Sequence, residues 1–320
     1  MTRILVADPL EASGLDILRA SGAEVHVMAA DERPRLAELV ADVDVLVVRS
    51  ATKVTRALLE AAGRLRIVGR AGVGVDNVDV DAATEHGVLV VNAPTGNLMS
   101  ATEHTFALLL AVARSVPAAD ASMKRSEWDR KSFVGMELQG KTLGIIGLGR
   151  IGRRVASRAQ AFEMRVVATD PFVDAAEAAE LGVETMELEA LLGVSDVVTI
   201  HAPALRETKN LLDAGRLALM KPGAVLVNCG RGGVVDESAL LAALESGHLA
   251  GAGIDVFAEE PTPRHDLAGH PRVVATPHIG AQTREAQERI AVETATMVLA
   301  ALGGEIPEAA VNRPEGWPRA

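Results

Sequence analysis

Short runs of aliphatic and β-branched residues alternate along the chain with longer segments rich in Ala, Leu and Glu. The runs form two series, five before residue 93 and six after residue 141. Buried strands that alternate with helical segments indicate βαβ units, so we predict an α/β chain with two doubly wound parallel sheets. Six strands is the count of a full dinucleotide-binding sheet. The predicted strands are Ile4–Ala7, Glu24–Val27, Val45–Val48, Ile67–Gly69, Val88–Val91, Thr142–Gly147, Arg165–Thr169, Val197–His201, Ala224–Asn228, Gly253–Val256 and Val273–Thr276, and the last predicted helix is Gln282–Leu302.

The charge balance argues against a nucleic-acid partner. The 320 residues include 32 Lys and Arg against 43 Asp and Glu, which gives a formal net charge of −11. Neutralising phosphates needs a basic surface, and aromatic residues that could stack on bases make up only 2% of the chain. An apolar share of 48% is enough for a sizeable core. The composition still permits a small anionic substrate held by a few arginines.

The sequence predicts no disulfide, no membrane partner and no metal site. Cys229 is the single cysteine, which fits a reducing compartment. The longest apolar run, Phe106–Ala113, is far shorter than the roughly 20 residues that span a bilayer. We therefore expect a cytoplasmic protein. Five histidines lack metal-ligand spacing and are interpreted as capping or surface residues: His86, His104, His248, His265 and His270.

A glycine pattern at the start of the second series indicates a dinucleotide site. The first strand of that series leads into residues 147–152, which include Gly147, Gly149 and Gly152, and a helical segment follows from Arg153. The first glycine suits a tight turn, the second lets the backbone approach a pyrophosphate, and the third lets the helix pack closely on the strand. Asp170, 23 residues after Gly147, ends the next strand, where a carboxylate would bind ribose hydroxyls. No Arg or Lys follows it in residues 171–174, so NAD is favoured over NADP.

Three polar groups follow later strands of the same series, at the sheet edge where open α/β sheets bind their ligands. They are Arg231, the pair Glu259 and Glu260, and His278. An Arg would bind a substrate carboxylate and polarise the reacting oxygen, while a His next to a carboxylate would exchange the hydroxyl proton. The set suits hydride transfer between a nicotinamide and a small 2-hydroxy acid. Spacing alone does not choose between the two glutamates.

Several segments together resemble the D-isomer-specific 2-hydroxyacid dehydrogenases, from Ile4 to about Asn312. The resemblance implies that Arg231, Glu260 and His278 are the catalytic residues, and it selects Glu260 because that residue directly precedes Pro261. One departure lies at Ala202, where the family often has Thr, and the loss of one hydrogen bond there would weaken cofactor binding by about 1 kcal/mol. The matching segments are Val48–Val54, Gly69–Asp79, Lys141–Gly152, Asn228–Gly233 and Thr276–Ala281.

The resemblance also implies a set of NAD contacts and a divided first domain. A Rossmann NAD-binding domain, residues 94–287, would be inserted in a flavodoxin-like substrate-binding domain made of residues 1–93 and 288–320. The expected NAD contacts are Val73, Gly147, Gly149, Arg150, Ile151, Gly152, Asp170, Ala202, Cys229, Gly230, Arg231, Asp255, His278, Gly280 and Ala281. Since the likeness uses nearly all 320 residues, no regulatory domain is expected.

Two cations and a hydroxyl at strand ends of the first series suggest an anion site. Arg49, Ser50, Arg70 and Gly72 are the predicted substrate contacts there, and Arg231 and His278 complete them. They favour a 2-hydroxy acid that also carries a phosphate. Without the resemblance, a solvated strand end is the competing interpretation.

Some alternatives stay open. Within the family, the alternatives are a glyoxylate or hydroxypyruvate reductase and another 2-hydroxyacid dehydrogenase with a different side-chain pocket. Outside catalysis, the same fold serves as an NAD-sensing corepressor. A formate dehydrogenase is disfavoured because its His partner is normally Gln rather than Glu. A homodimer through the NAD-binding domain is expected from the resemblance, and the basic segment Met123–Lys131 fits either a partner contact or a solvated loop.

Overall fold

The computed structural model describes residues 1–318 and divides the chain into two compact units. The first unit combines residues 1–97 with the segment from Gln282 onward, and the second comprises Leu98–Ala281. The chain therefore leaves the first unit and returns to it through its last helix. The expected boundaries, after residues 93 and 287, lie near these divisions but do not coincide with them.

Strands and helices alternate through the described residues, which confirms the predicted α/β class with two parallel sheets. The strands are β1 Arg3–Val6, β2 Glu24–Val27, β3 Val45–Val48, β4 Ile67–Arg70, β5 Leu89–Asn92, β6 Thr142–Ile146, β7 Arg165–Thr169, β8 Glu184–Thr185, β9 Val197–Ile200, β10 Ala224–Asn228, β11 Leu249–Ile254 and β12 Val273–Ala275. The helices are α1 Ala12–Ala20, α2 Leu36–Val40, α3 Arg56–Ala61, α4 Val80–Glu85, α5 Leu98–Ala113, α6 Val116–Lys124, α7 Arg150–Ala161, α8 Ala175–Glu180, α9 Leu188–Val194, α10 Ala214–Leu219, α11 Glu237–Glu245, α12 His265–Ala268 and α13 Arg284–Leu302, with a 3₁₀ helix at Ala30–Arg35.

In the first unit the strand order is β2-β1-β3-β4-β5, and every pair is parallel. This is the flavodoxin-type order, which reverses direction between β1 and β3. Apolar side chains from α1 and α13 cover one face of the sheet, and those near α2, α3 and α4 cover the other. Asn312 fixes the returning chain, because its Oδ1 accepts from the Val90 N–H at 2.7 Å and its Nδ2 donates to the Val88 carbonyl at 2.9 Å.

In the second unit the order is β12-β11-β10-β9-β6-β7-β8, again all parallel. Six of these strands match the dinucleotide-binding order, and β12 extends it by one. The order reverses where β6 lies between β9 and β7, next to the glycine pattern. This is the point of an open α/β sheet at which ligands bind.

Two details of the second sheet differ from the prediction. Six strands were expected, but the sheet has seven within residues 1–318. The additional strand is β8, which is only two residues long and therefore too short to show a hydrophobic alternation. The strand expected at Gly253–Val256 instead runs over Leu249–Ile254, which is rich in Gly and Ala. Small residues are needed there because α5 packs closely: a Cβ on Gly253 would lie 2.9 Å from the Leu108 Cβ.

No single helix within residues 1–318 is long and apolar enough to cross a membrane. Helices α5 and α6 meet the length and composition criteria only as a pair, and they are bent by 63° at the break between them. Among the same residues, His, Cys, Asp and Glu side chains form no group of three or more that could hold a metal ion.

Candidate active site

The glycine loop between β6 and α7 is closed so tightly that two of its glycines have no room for a side chain. Gly147 has a φ of 94°, and a Cβ there would lie 2.8 Å from the backbone carbonyl carbon of His201. A Cβ on Gly152 would overlap the carbonyl oxygen of Gly147. A Cβ on Gly149 would meet no protein atom within 4 Å, so the backbone there borders open space. That opening lies beside the first turn of α7, whose N–H groups have no partner within the helix and favour an anion.

Asp170 is hydrogen-bonded directly to this loop. Its Oδ2 accepts from the Leu148 N–H at 2.8 Å, and its Oδ1 accepts from the Phe172 N–H at 2.9 Å. These bonds hold the carboxylate beside the glycines, where its remaining lone pairs suit ribose hydroxyls. The loop, the helix start and the carboxylate therefore fit a dinucleotide without a 2′-phosphate. Arg150 and Ile151, the first two residues of α7, share this end of the helix.

His201 and Ala202 follow β9, the strand beside β6. The His201 Nε2 lies 3.0 Å from the Thr199 Oγ1, and burial lowers the pKa of His201 to about 4. The ring is therefore neutral at neutral pH, which suits a wall of the pocket better than an acid. The half-buried Ala202 leaves no side-chain hydroxyl at its position.

His278 and Glu260 form a direct pair. The His278 Nδ1 lies 2.7 Å from the Glu260 Oε2, and the Glu260 Oε1 accepts from the Phe257 N–H at 3.1 Å. Burial alone would raise the pKa of Glu260, but the bonds from His278 and Phe257 hold it below its usual value. Because the ionised carboxylate accepts a hydrogen bond from the Nδ1–H group, Nε2 is left as the ring atom that can exchange a proton with a substrate.

The backbone of His278 is held in an unusual conformation by Asp255. His278 has a φ of 52°, and its N–H donates to the Asp255 carbonyl at 2.8 Å. The Asp255 carboxylate is 1% exposed and accepts from the N–H groups of Ile279 and Gly280, each at 2.8 Å. Burial would raise the pKa of Asp255, but these bonds and those from His104 and Thr276 lower it. An ionised Asp255 thus fixes the turn that presents His278, with Ala281 directly after it.

His104 belongs to the same network, although the sequence interpretation placed it at a cap or on the surface. That interpretation is wrong, since its side chain is only 14% exposed. Its Nε2 lies 3.0 Å from the Thr276 Oγ1 and 3.2 Å from the Asp255 Oδ1. The Thr276 hydroxyl in turn donates to the same Asp255 oxygen at 2.6 Å. A histidine on α5 therefore helps to keep Asp255 ionised.

Arg231 follows β10, and Asn228 shapes its turn. The Asn228 Oδ1 accepts from the Gly230 N–H at 3.1 Å, and its Nδ2 donates to the Arg231 carbonyl at 3.0 Å. Cys229 lies between them, and burial raises the pKa of its thiol to about 12, so it is no thiolate nucleophile. Because β10, β11 and β12 are neighbouring parallel strands, the groups that follow them, Arg231, Glu260 and His278, emerge at one edge of the sheet.

The predicted anion-site residues lie in the first unit, at the carboxyl ends of β3 and β4. Arg49 and Ser50 directly follow β3, while Arg70 ends β4 and Gly72 and Val73 come just after it. Within residues 1–318 the half-buried Arg49 guanidinium forms no hydrogen bond and no ion pair. Burial accordingly lowers the pKa of Arg49. The carboxylates of Glu11 and Asp8 only partly offset this effect, and a partly buried cation without a direct ion pair suits an anionic ligand.

Asp8, which the sequence did not single out, supports this site. Asp8 is 3% exposed and accepts from the N–H groups of Arg49 and Thr52, at 2.7 and 3.1 Å. It also pairs with Arg33 at 2.7 Å. Burial would raise the pKa of Asp8, but these bonds hold it below its usual value. The available signal was an Asp just after β1, the strand that pairs with β3.

Comparison with known proteins agrees with the family resemblance of the sequence. The family model described as "D-isomer specific 2-hydroxyacid dehydrogenase, NAD binding domain" matches residues 106–280. A D-3-phosphoglycerate dehydrogenase of Methanocaldococcus jannaschii is 47% identical over 315 residues, 98% of this chain and 60% of the relative. One from Mycobacterium tuberculosis is 51% identical over 311 residues, 97% of this chain and 58% of the relative. The chain thus spans about 60% of the length of these curated relatives.

Solved structures resemble the chain over nearly its whole length. A Thermus thermophilus protein has a TM-score of 0.88 at 38% identity and covers 97% of this chain and 100% of its own. The D-lactate dehydrogenase of Aquifex aeolicus, solved with NAD and lactic acid, has a TM-score of 0.87 at 30% identity, covering 97% of this chain and 99% of its own.

Proposed function

Because the chain belongs to the family of D-isomer specific 2-hydroxyacid dehydrogenases, we propose that it oxidises D-3-phosphoglycerate to 3-phosphohydroxypyruvate, the first step of serine biosynthesis. NAD is the cofactor of the family, and the glycine loop with Asp170 suits it. The observation that carries the proposal is the 2.7 Å pair of His278 and Glu260 beside the strand end that bears Arg231. The curated relatives named above support the choice of substrate.

The mechanism assigns one task to each polar group. Bound NAD supplies the acceptor for the hydride that leaves C2 of the substrate. His278 takes the hydroxyl proton on Nε2 as the C2–O bond becomes a carbonyl, and Glu260 stabilises the resulting imidazolium through Nδ1. Arg231 binds the substrate carboxylate and polarises the reacting oxygen. In the reverse direction the same histidine returns the proton.

The phosphate is assigned to Arg49 and Arg70, with Ser50 as a hydroxyl donor. The support is the half-buried Arg49 guanidinium, which has a lowered pKa and no ion pair within residues 1–318. A carboxylate alone needs only Arg231, so cations at two further strand ends favour a second anionic group on the substrate.

A panel of 2-hydroxy acids tests the reaction. We expect NADH to appear with D-3-phosphoglycerate much faster than with D-glycerate, D-lactate or 2-hydroxyglutarate. Rapid turnover of another acid without turnover of D-3-phosphoglycerate would identify a different dehydrogenase, and reduction of glyoxylate or hydroxypyruvate by NADH would identify a reductase. NADH binding without turnover of any of these would favour a binding protein.

Replacing Arg49 by Ala tests the phosphate assignment. Losing charge-assisted hydrogen bonds worth about 1.5 to 3 kcal/mol should raise the KM for D-3-phosphoglycerate by about 10- to 150-fold. The KM for D-glycerate should change by less than about 3-fold, because D-glycerate has no phosphate to lose. The control is Arg35→Ala, which removes an exposed cation paired with Glu38 in the same unit. Equal losses on both substrates would contradict the assignment.

We further propose a homodimer formed through the second unit. Large apolar side chains are exposed on α5, on α6 and in the segment after it, with Trp128 77% and Val134 86% exposed. Buried against a second copy, this surface would lose its contact with water. Sedimentation should give twice the 33.4 kDa mass of one chain. Val134→Asp should shift the measured mass toward that of a single chain. Leu219→Asp, which changes an exposed apolar residue on α10, is the control. A single-chain mass for the unaltered protein would refute the dimer.

The cytoplasm is the proposed location. The single cysteine, Cys229, fits a reducing compartment because no internal disulfide is possible. Activity found in a secreted or membrane fraction after cell disruption would contradict this placement.

A further inference from the structure

The loop that carries Arg49 is held by two side chains from other parts of the first unit. We call residues 49–54 the Arg49 loop. Asp8 accepts from the N–H groups of Arg49 and Thr52, and it also accepts from the Thr52 hydroxyl at 2.9 Å. The Asn77 Nδ2 donates to the carbonyls of the same two residues, at 2.7 and 2.6 Å. Both backbone groups of Arg49 and of Thr52 are therefore bonded.

Asn77 also contacts the second predicted anion-site arginine. The Arg70 Nε donates to the Asn77 Oδ1 at 3.3 Å. One amide thus uses both of its N–H donors on the Arg49 loop and its oxygen on the Arg70 guanidinium. The Asn77 amide thus directly bridges the backbone of Arg49 and the side chain of Arg70.

The bridge itself is anchored by backbone pairing. The Val54 N–H donates to the Asn77 carbonyl at 2.8 Å, and the Asp79 N–H donates to the Val54 carbonyl at 2.8 Å. Val54 and Val78 form a parallel β-bridge at this point. Because the main chain on both sides of Asn77 is fixed, the Asn77 side chain holds the Arg49 loop and Arg70 at defined positions relative to each other.

We propose that Asn77 is a positioning residue, which sets the relative placement of Arg49 and Arg70 and so the preference for a substrate with a phosphate. The inference rests on the proposed function, in which these two arginines bind that phosphate. Arginine recognises an oxyanion through a planar fork of donors, so affinity depends on where each fork is held. An amide that bonds one arginine's backbone and the other's guanidinium constrains both at once.

Asn77→Ala is the test variant, and Asn312→Ala is its matched control. Asn312 is another amide of the same unit with three hydrogen bonds, to Val90, Val88 and Thr84, but it lies at the amino-terminal part of β5 rather than at the strand ends near Arg49. Both variants should lower the thermal unfolding midpoint. Only Asn77→Ala should raise the KM for D-3-phosphoglycerate, by about 10- to 100-fold, since displacement of a binding group by about 1 Å has effects of this order. The kcat, the KM for D-glycerate and the Kd for NADH should each stay within about 3-fold.

Calorimetric titration with inorganic phosphate gives a readout that does not need turnover. Weaker phosphate binding by Asn77→Ala than by Asn312→Ala supports the positioning role, and equal binding by the two variants overturns it. If the unaltered chain does not oxidise D-3-phosphoglycerate, the proposed function fails, while the phosphate titration still decides the role of Asn77. Should Asn77→Ala not fold, Asn77→Ser, which keeps one donor, takes its place. A lower unfolding midpoint in either variant with an unchanged ratio of the two KM values refutes the proposal.

Discussion

We expect the replacement of His278 by Asn to lower kcat by about 1,000-fold or more and to leave NADH binding intact. The Asn amide can still donate a hydrogen bond to Glu260, but it cannot accept the substrate's hydroxyl proton. Asp255 continues to hold the backbone of residues 278–280, because its bonds there go to main-chain N–H groups. Steady-state assays with D-3-phosphoglycerate measure the loss, and quenching of NADH fluorescence measures binding.

Substitutions at the two neighbouring glutamates test the same mechanism, with Glu259 as the control for Glu260. Glu260→Gln removes the carboxylate that bonds the His278 Nδ1, and we expect it to lose about 100-fold in kcat. Glu259→Gln changes an exposed neighbour and should retain activity within about 2-fold. If His278→Asn kept a tenth of the activity or more, another group would have to carry the proton.

Alanine at Gly152 and alanine at Gly149 should damage the dinucleotide site in different ways. A Cβ at 152 overlaps the Gly147 carbonyl oxygen, so Gly152→Ala must push α7 away from the loop. We expect it to lower the free energy of unfolding by about 1 to 3 kcal/mol even without NADH. Gly149 has a φ of −76° and open space above it, so Gly149→Ala should leave that free energy unchanged. Its methyl group would instead occupy the space needed by the pyrophosphate, which should weaken NADH binding by at least about 10-fold.

Denaturation without ligand, followed by NADH titration, separates these two effects. Gly140→Ala is a less suitable control, because Gly140 has a φ of 70° and its replacement would add backbone strain. Gly63→Ala is better, since a Cβ there meets nothing within 4 Å and Gly63 lies in the other unit. Unchanged NADH affinity in Gly149→Ala would show that the cofactor does not approach this backbone.

The parts of the site that depend on local spacing were predictable from the sequence. Gly147, Gly149 and Gly152 lie within six consecutive residues, and Asp170 directly follows β7, the next strand, so one βαβ unit contains the whole pattern. Arg231 and His278 became candidates because each follows a predicted strand. The choice of Glu260 over Glu259 came from the family resemblance. The structure pairs Glu260 with His278, a contact between residues 18 apart in the chain.

The supporting groups were not predictable, because their partners are distant in sequence. Asp8 bonds the Arg49 loop across 41 residues, and His104 meets Thr276 across 172. A side chain whose role depends on such a contact shows no periodicity of its own. The shift of β11 has a similar origin: its glycines fit the closeness of α5, and a hydrophobic pattern does not reveal that neighbour.

The return of α13 to the first sheet has a consequence for synthesis on the ribosome. The face that bears Ile4, Val6 and Val47 is covered by apolar residues of α1 and α13, and α13 follows the whole second unit in the chain. While residues 98–281 are being made, that face lacks part of its cover. The second sheet draws all its strands from the inserted segment, and domains generally fold as units. The second unit can therefore complete its folding before the first unit does. Until α13 has been synthesised, one face of the first sheet remains partly exposed.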